Sequence, residues 1–244
     1  MSDSLPIVCR RLRHIFESAP PTIKAEYILG RRQADPKKYR HSSIVSFALR
    51  YPLCCTPEVL DALLKRSAAA RSPNVIFRFI RLPRWLFRRL SPSGEEALPL
   101  LRYLYGLRDS PIRPVPDSHR GFPLASAVKA GAIPLVHFLL EQGASPCCNN
   151  ALAVRLAIKR RDLDLVHLLI DSSKASSGEV KVDSEMLKLA VKVGARDIAE
   201  FLVNEKGCVP DLEIIALLRN GELDHRRADF LAHGRTSGPY CRFE

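Results

Sequence analysis

Ala127-Val-Lys-Ala-Gly-Ala-Ile-Pro-Leu-Val-His-Phe-Leu-Leu140 occurs again, in altered form, as Ala157-Ile-Lys-Arg-Arg-Asp-Leu-Asp-Leu-Val-His-Leu-Leu-Ile170 and as Ala190-Val-Lys-Val-Gly-Ala-Arg-Asp-Ile-Ala-Glu-Phe-Leu-Val203. The copies start 30 and 33 residues apart. Each opens with Ala, an apolar residue and Lys, turns near Gly131, Arg161 or Gly194, and resumes with apolar residues at helical spacing. The pattern predicts two short helices around a tight turn, three times over. One such unit cannot bury its apolar face alone, so the units must stack and share a core.

Working outward, the third copy opens at a cap, Asp183 or Ser184. Asp171–Gly178 is polar and reads as a loop. Asp211–Leu218 and Arg226–Ala232 predict a last helix pair, its outer helix more polar as a terminal unit requires. Upstream, Asp109–His119 holds prolines 111, 114 and 116, which excludes a helix. Glu96–Tyr105 predicts an outer helix closed by Gly106. Ser43–Pro52 predicts an inner helix and Thr56–Lys65 an outer one, with Thr56 as cap, Pro57 at the first position and Glu58 at the positive end. Ser72–Leu90 mixes aromatics and arginines around Pro83 and reads as a broken, degenerate inner helix. At the start, Cys9–Phe16 predicts a basic helix, Thr22 caps a second one with Ile23, Tyr27 and Ile28 on its apolar stripe, and Arg31–His41 reads as a basic linker.

The period, the Phe122-Pro-Leu-Ala125 start and Gly143-Ala-Ser145 after the outer helix resemble the ankyrin repeat. In the ankyrin pattern Thr and His stand where this chain has Phe122 and Ala125, while Pro123 and Leu124 match. The resemblance implies an all-α, ankyrin-like helical repeat solenoid with divergent N-terminal helices. The expected organisation is a basic helical segment and linker over 1–40, divergent repeats over 41–120, repeats with a C-terminal cap over 121–235, and a tail over 236–244. Val8-Cys-Arg-Arg-Leu-Arg-His-Ile15 with Pro21–Arg31 is similar to the second half of the divergent F-box that precedes ankyrin repeats in a group of fungal proteins. The Leu-Pro-x-Glu half is missing, and with it much of the surface that would grip a ubiquitin-ligase adaptor.

The composition, 46% hydrophobic and 26% charged, is that of a globular domain. No uncharged apolar run is long enough for a transmembrane helix, and Arg10, Arg11 and Arg13 interrupt any secretory signal at the start. The expected location is cytoplasmic and/or nuclear. The seven cysteines include two adjacent pairs and no C-x-x-C, which fits reduced thiols packed as small apolar groups. Cys208, His225, His233 and Cys241 match no familiar zinc spacing, so no metal or other cofactor is expected. Residues 1–120 carry 22 Lys/Arg against 10 Asp/Glu, whereas residues 121–244 carry 16 of each. The whole +12 excess lies in the first half, an asymmetry that suits an anionic partner.

The sequence holds no phosphate loop, no H-E-x-x-H and no G-x-S-x-G. His137 and His167 recur at equivalent places, which fits a structural or surface role, and Asp162 and Asp164 point to different helix faces. The expected function is therefore non-catalytic: a monomeric protein–protein interaction module. By the ankyrin resemblance its contacts are Arg120, Phe122, Lys129, Asn149, Asn150, Arg155, Lys159, Lys188 and Lys192. Lys129, Lys159 and Lys192 are equivalent and form a ladder for an acidic partner. Two alternatives stay open. One is a substrate receptor of a cullin-type ubiquitin ligase acting through the F-box remnant. The other is a binder of nucleic acid or anionic surfaces through Arg78, Arg81, Arg84, Trp85, Arg88 and Arg89, a stretch that also reads as plain packing with arginine stems over its edge.

Overall fold

The computed structural model describes residues 14, 17–34, 43–52, 55–68, 78–107, 112–175 and 180–216. The fold is predominantly helical. In chain order, helices α1 (Pro21–Gln33), α2 (Ile44–Ala48) and α3 (Pro57–Ala68) precede strand β1 (Arg78–Arg81) and a 3-10 turn at Arg84–Phe87. Helix α4 (Leu98–Gly106) and strand β2 (Ile112–Val115) follow. Then come α5 (Ser118–Ala130), α6 (Ile133–Glu141), α7 (Cys148–Arg160), α8 (Leu163–Ala175), α9 (Ser184–Val193) and α10 (Arg196–Asn204). A short helical stretch at 212–216 closes the described part.

The last six named helices are the three repeats found in the sequence. Leu124, Ala127 and Val128 of α5 are buried, and so are Val154, Ala157 and Ile158 of α7 and Leu187 and Ala190 of α9. The outer helices bury Leu135 and Leu139, then Leu165 and Leu169, then Ile198 and Leu202. These sets lie at the same offsets of 30 and 33 residues as the sequence repeat. Each buried Leu or Ile contributes roughly 1.5–3 kcal/mol, and α5 packs on α7 as α7 packs on α9. One continuous apolar cluster runs from Ala25 to Ile214, so the N-terminal helices and the repeats share a core.

Each inner helix ends the same way. Gly131, Arg161 and Gly194 adopt left-handed φ values of 73°, 57° and 74°. The next amide then reaches back to Ala127, Ala157 or Ala190 at 3.0, 3.3 and 2.9 Å. This is the six-to-one bond of a Schellman end, which satisfies a carbonyl the helix would leave open. The inner helices start differently. His119–Gly121 and Asn149–Ala151 are two left-handed stretches of three residues, 30 positions apart. In the third unit Asp183 caps α9 instead, its Oδ1 accepting from Met186 N at 2.8 Å.

The described part of Ser72–Leu90, residues 78–90, departs from the degenerate helix expected there. Phe79 and Arg81 are exposed while Ile80 and Leu82 are buried, a period of two. Arg78–Arg81 pairs in parallel with Ile112–Val115, opposite Pro114 among others. Pro114 donates nothing to a ladder, which a strand at a sheet edge tolerates. The expected loop at Asp109–His119 thus contains a strand. Ser118 ties the junction: its hydroxyl accepts from Leu82 N at 2.8 Å and donates to Val115 O.

Other boundaries move by smaller amounts. Thr22 lies inside α1, which begins at Pro21 because proline is already set for the first helical position. That helix runs on through Arg31 and Arg32 to Gln33, shortening the expected linker. Gly106 is the last residue of α4 and is not a left-handed cap; Leu107 follows at φ −74°. Helix α8 continues to Ala175, into the expected polar loop, where the buried Ser173 hydroxyl donates to Ile170 O. The Cys9–Phe16 helix apart from His14, Cys54, Arg226–Ala232, His225, His233, Cys241 and the tail 236–244 lie outside the described residues.

Candidate functional site: a basic edge and a groove

The three ladder lysines all reach solvent. Lys129, Lys159 and Lys192 each stand two residues before a left-handed turn residue, and all are exposed. Two further cations join them. Arg160 Nη1 donates to Lys129 O at 3.1 Å, and Arg161 Nη2 donates to Val193 O. Adjacent arginines of the middle unit thereby reach in opposite directions, each to the C-terminal carbonyl end of a neighbouring inner helix, where positive charge is favoured. The run Lys159-Arg160-Arg161 was the signal for these two residues; Arg161 was expected only as a turn residue, and Arg160 in no role.

Among the other expected contacts, Arg120, Asn149 and Asn150 are exposed on the left-handed stretches near the starts of α5 and α7. They lie at the opposite end of the inner helices from the lysines, about 12 Å away for a helix of this length. Arg155 is engaged within the fold: its Nη2 lies 2.7 Å from Asp183 Oδ2. Lys188 pairs with Glu213, whose hydrogen bond is the largest cause holding the ammonium's pKa above its ordinary value. Both are architectural residues joining successive units.

The arginine stretch divides in the same way. Trp85 is half-buried and its indole N–H donates to Leu49 O at 2.8 Å, fastening the 3-10 turn to the residue after α2. Arg81, Arg84, Arg88 and Arg89 are exposed. The Arg84 guanidinium lies 5.7 Å from the centre of the half-buried Phe122 ring, a cation–π contact. Arg78 stands on β1.

A groove of about 370 Å³ joins the two regions. One wall is Phe87, Arg88, Arg89 and Leu90; the other is Phe122, Ser126, Lys129 and Ala130. The second set is spaced i, i+4, i+7 and i+8, one stripe along α5. The physical cause is a mismatch of length. Helix α5 packs against α7, a helix of similar extent, but also against a 3-10 turn of only four residues. That turn covers part of α5 and leaves the rest of the stripe open. Among the described residues, three cations line the groove and no carboxylate does.

The thiols in this part of the chain are quiet. Burial pushes Cys148 up to about 11, with the charge of Asp117 adding to it, and burial also raises Cys208. His137 is exposed, and the His167 ring lies 4.0 Å from Phe201, centre to centre. No group of three His, Cys, Asp or Glu among the described residues is arranged to hold a metal ion. No helix among them is long and apolar enough to cross a membrane. Comparison with protein-family models, with curated proteins and with solved structures finds no match to this chain.

Proposed function

We propose that this chain is a non-catalytic protein-interaction module, built as an ankyrin-like stack, that holds an acidic segment of a partner protein along its basic edge. The observation that carries this reading is the ladder: Lys129, Lys159 and Lys192 repeat with the fold, are exposed, and stand beside Arg160 and Arg161. Stacked helices lie about 8–10 Å apart, and an extended chain advances about 3.3 Å per residue. Successive rungs therefore match acidic groups at every third residue of an extended peptide. Such contacts would speed encounter and set register more than they add affinity.

The test is affinity purification with the wild-type chain and with the triple variant K129E/K159E/K192E as parallel baits. The reading expects an acidic-segment partner to be captured by the first and lost from the second. Equal capture by both baits rejects it.

The exposed Arg81, Arg84, Arg88 and Arg89 favour a second reading, binding of nucleic acid. It requires affinity for a single-stranded oligonucleotide that falls steeply with salt, because neutralised phosphates release counterions. Weak binding that is indifferent to salt rejects it.

A further inference from the structure

The groove between Phe87–Leu90 and α5 has a composition that the lysine ladder alone does not explain. Three of its lining residues are cations, Arg88, Arg89 and Lys129, while Phe87, Leu90, Phe122 and Ala130 are apolar. Phe87 is buried, so that part of the wall is rigid; Arg88 and Arg89 are exposed and none of the three cations has an ion-pair partner among the described residues. An apolar cleft that is to stay empty gains nothing from three like charges on its walls. The same lining is complementary to an apolar side chain flanked by carboxylates, because Coulomb attraction and burial of apolar area then act on one ligand.

Lys129 fixes where that ligand would sit. It is both a lining residue of the groove and the first rung of the ladder. A segment held by the ladder therefore has the groove beside its first rung. The volume of about 370 Å³ is enough for one large aliphatic or aromatic side chain with its neighbours, near the lower end of ordinary ligand pockets.

We propose that the groove is the anchor site of the acidic partner segment: one apolar side chain inserts between Phe87, Leu90 and Phe122, and the carboxylates beside it pair with Arg88, Arg89 and Lys129. This proposal rests on the interaction-module reading above. It adds a specific requirement, that the partner segment carry an apolar residue at the end of its acidic run.

The experiment measures fluorescence anisotropy of the full chain with a fluorescein-labelled peptide of glutamates spaced by two glycines, ending in Leu-Glu-Glu. A second peptide replaces the leucine by serine. The proteins are wild type, R88E/R89E, S126W, which fills the groove without altering charge, and K159E/K192E, which spares the groove. Circular dichroism confirms that each is folded. The anchor predicts that R88E/R89E and S126W each weaken the leucine peptide about tenfold or more, and that the serine peptide loses a similar factor with wild type, the worth of burying one leucine. Loss with K159E/K192E but not with R88E/R89E or S126W overturns the anchor and leaves the ladder standing. No measurable binding to wild type overturns both. Equal affinity for the two peptides reduces the groove to a charge patch and also overturns the anchor. Tighter binding of a single-stranded oligonucleotide than of the leucine peptide, abolished by R88E/R89E, assigns the site to nucleic acid and rejects the proposal.

Discussion

Arg155 and Asp183 join two repeats through one carboxylate that does two things. Oδ2 of Asp183 lies 2.7 Å from Arg155 Nη2, while its Oδ1 accepts from Met186 N at 2.8 Å and caps α9. The middle inner helix is thus tied to the first turn of the next one. The pair is partly exposed, 24% and 39% for its two side chains, so its Coulomb share is small. The cap is the larger part. Asp183→Ala is expected to cost about 1–2 kcal/mol. Asp183→Asn, which can still cap, and Arg155→Met should each cost under about 1 kcal/mol. Urea denaturation of the three variants checks the order; equal losses for Asp183→Ala and Asp183→Asn would show that the cap contributes nothing.

Gly121 and Cys148 pack tightly against each other where the first two units meet. A Cβ on Gly121 would stand 2.5 Å from the Cys148 Cβ, and the residue has φ 75°. Gly121→Ala is expected to destabilise by roughly 2–4 kcal/mol, from the clash and the left-handed backbone together. In a Cys148→Gly background the clash is gone and the same change should cost only about 1–2 kcal/mol. Gly30→Ala is the control. Gly30 lies inside α1 with open space where its Cβ would go, so alanine there should stabilise by up to about 1 kcal/mol.

The Tyr105 hydroxyl is buried with no hydrogen-bond partner among the described residues, and its ring lies 5.7 Å from that of Phe138, centre to centre. Burial pushes its pKa well above the ordinary tyrosine value, the mark of a phenol that must stay neutral. Removing an unsatisfied buried hydroxyl relieves its desolvation cost. Tyr105→Phe is therefore expected to raise stability by about 1 kcal/mol, read as a higher midpoint in thermal melting. A lower midpoint would mean that the hydroxyl is satisfied in solution.

Cys148 should resist alkylation. With its pKa pushed up to about 11 by burial, the thiolate is scarce at pH 8, and iodoacetamide should label it far more slowly than the same site in the urea-unfolded chain. The sign for stability follows. The folded state holds this proton more tightly than the unfolded one, so its contribution is complete below the ordinary thiol range and declines as pH rises towards 11. Peptide mapping after timed labelling at pH 8 checks the rate; labelling as fast as in urea would contradict it.

The three repeats were legible in the residues because every signal in them is local. Apolar side chains recur at helical spacing, and a left-handed turn needs only Gly131, Gly194 or a tolerated Arg161 two residues past a lysine. The same lysines could be aligned from the period, and the ankyrin resemblance put them on the contact face. The alternation Phe79-Ile80-Arg81-Leu82 was a strand signal too, but four residues decide little without a partner. That partner, Ile112–Val115, lies 34 positions away, behind a helix, and its proline argues against a strand until the edge position is known. Arg155, Lys188 and Trp85 looked free for a ligand because a sequence does not show which carboxylate or carbonyl each will meet. The groove is the extreme case. It exists because a four-residue turn lies against a much longer helix, and that difference in length becomes space only when the two segments, far apart in the chain, are packed together.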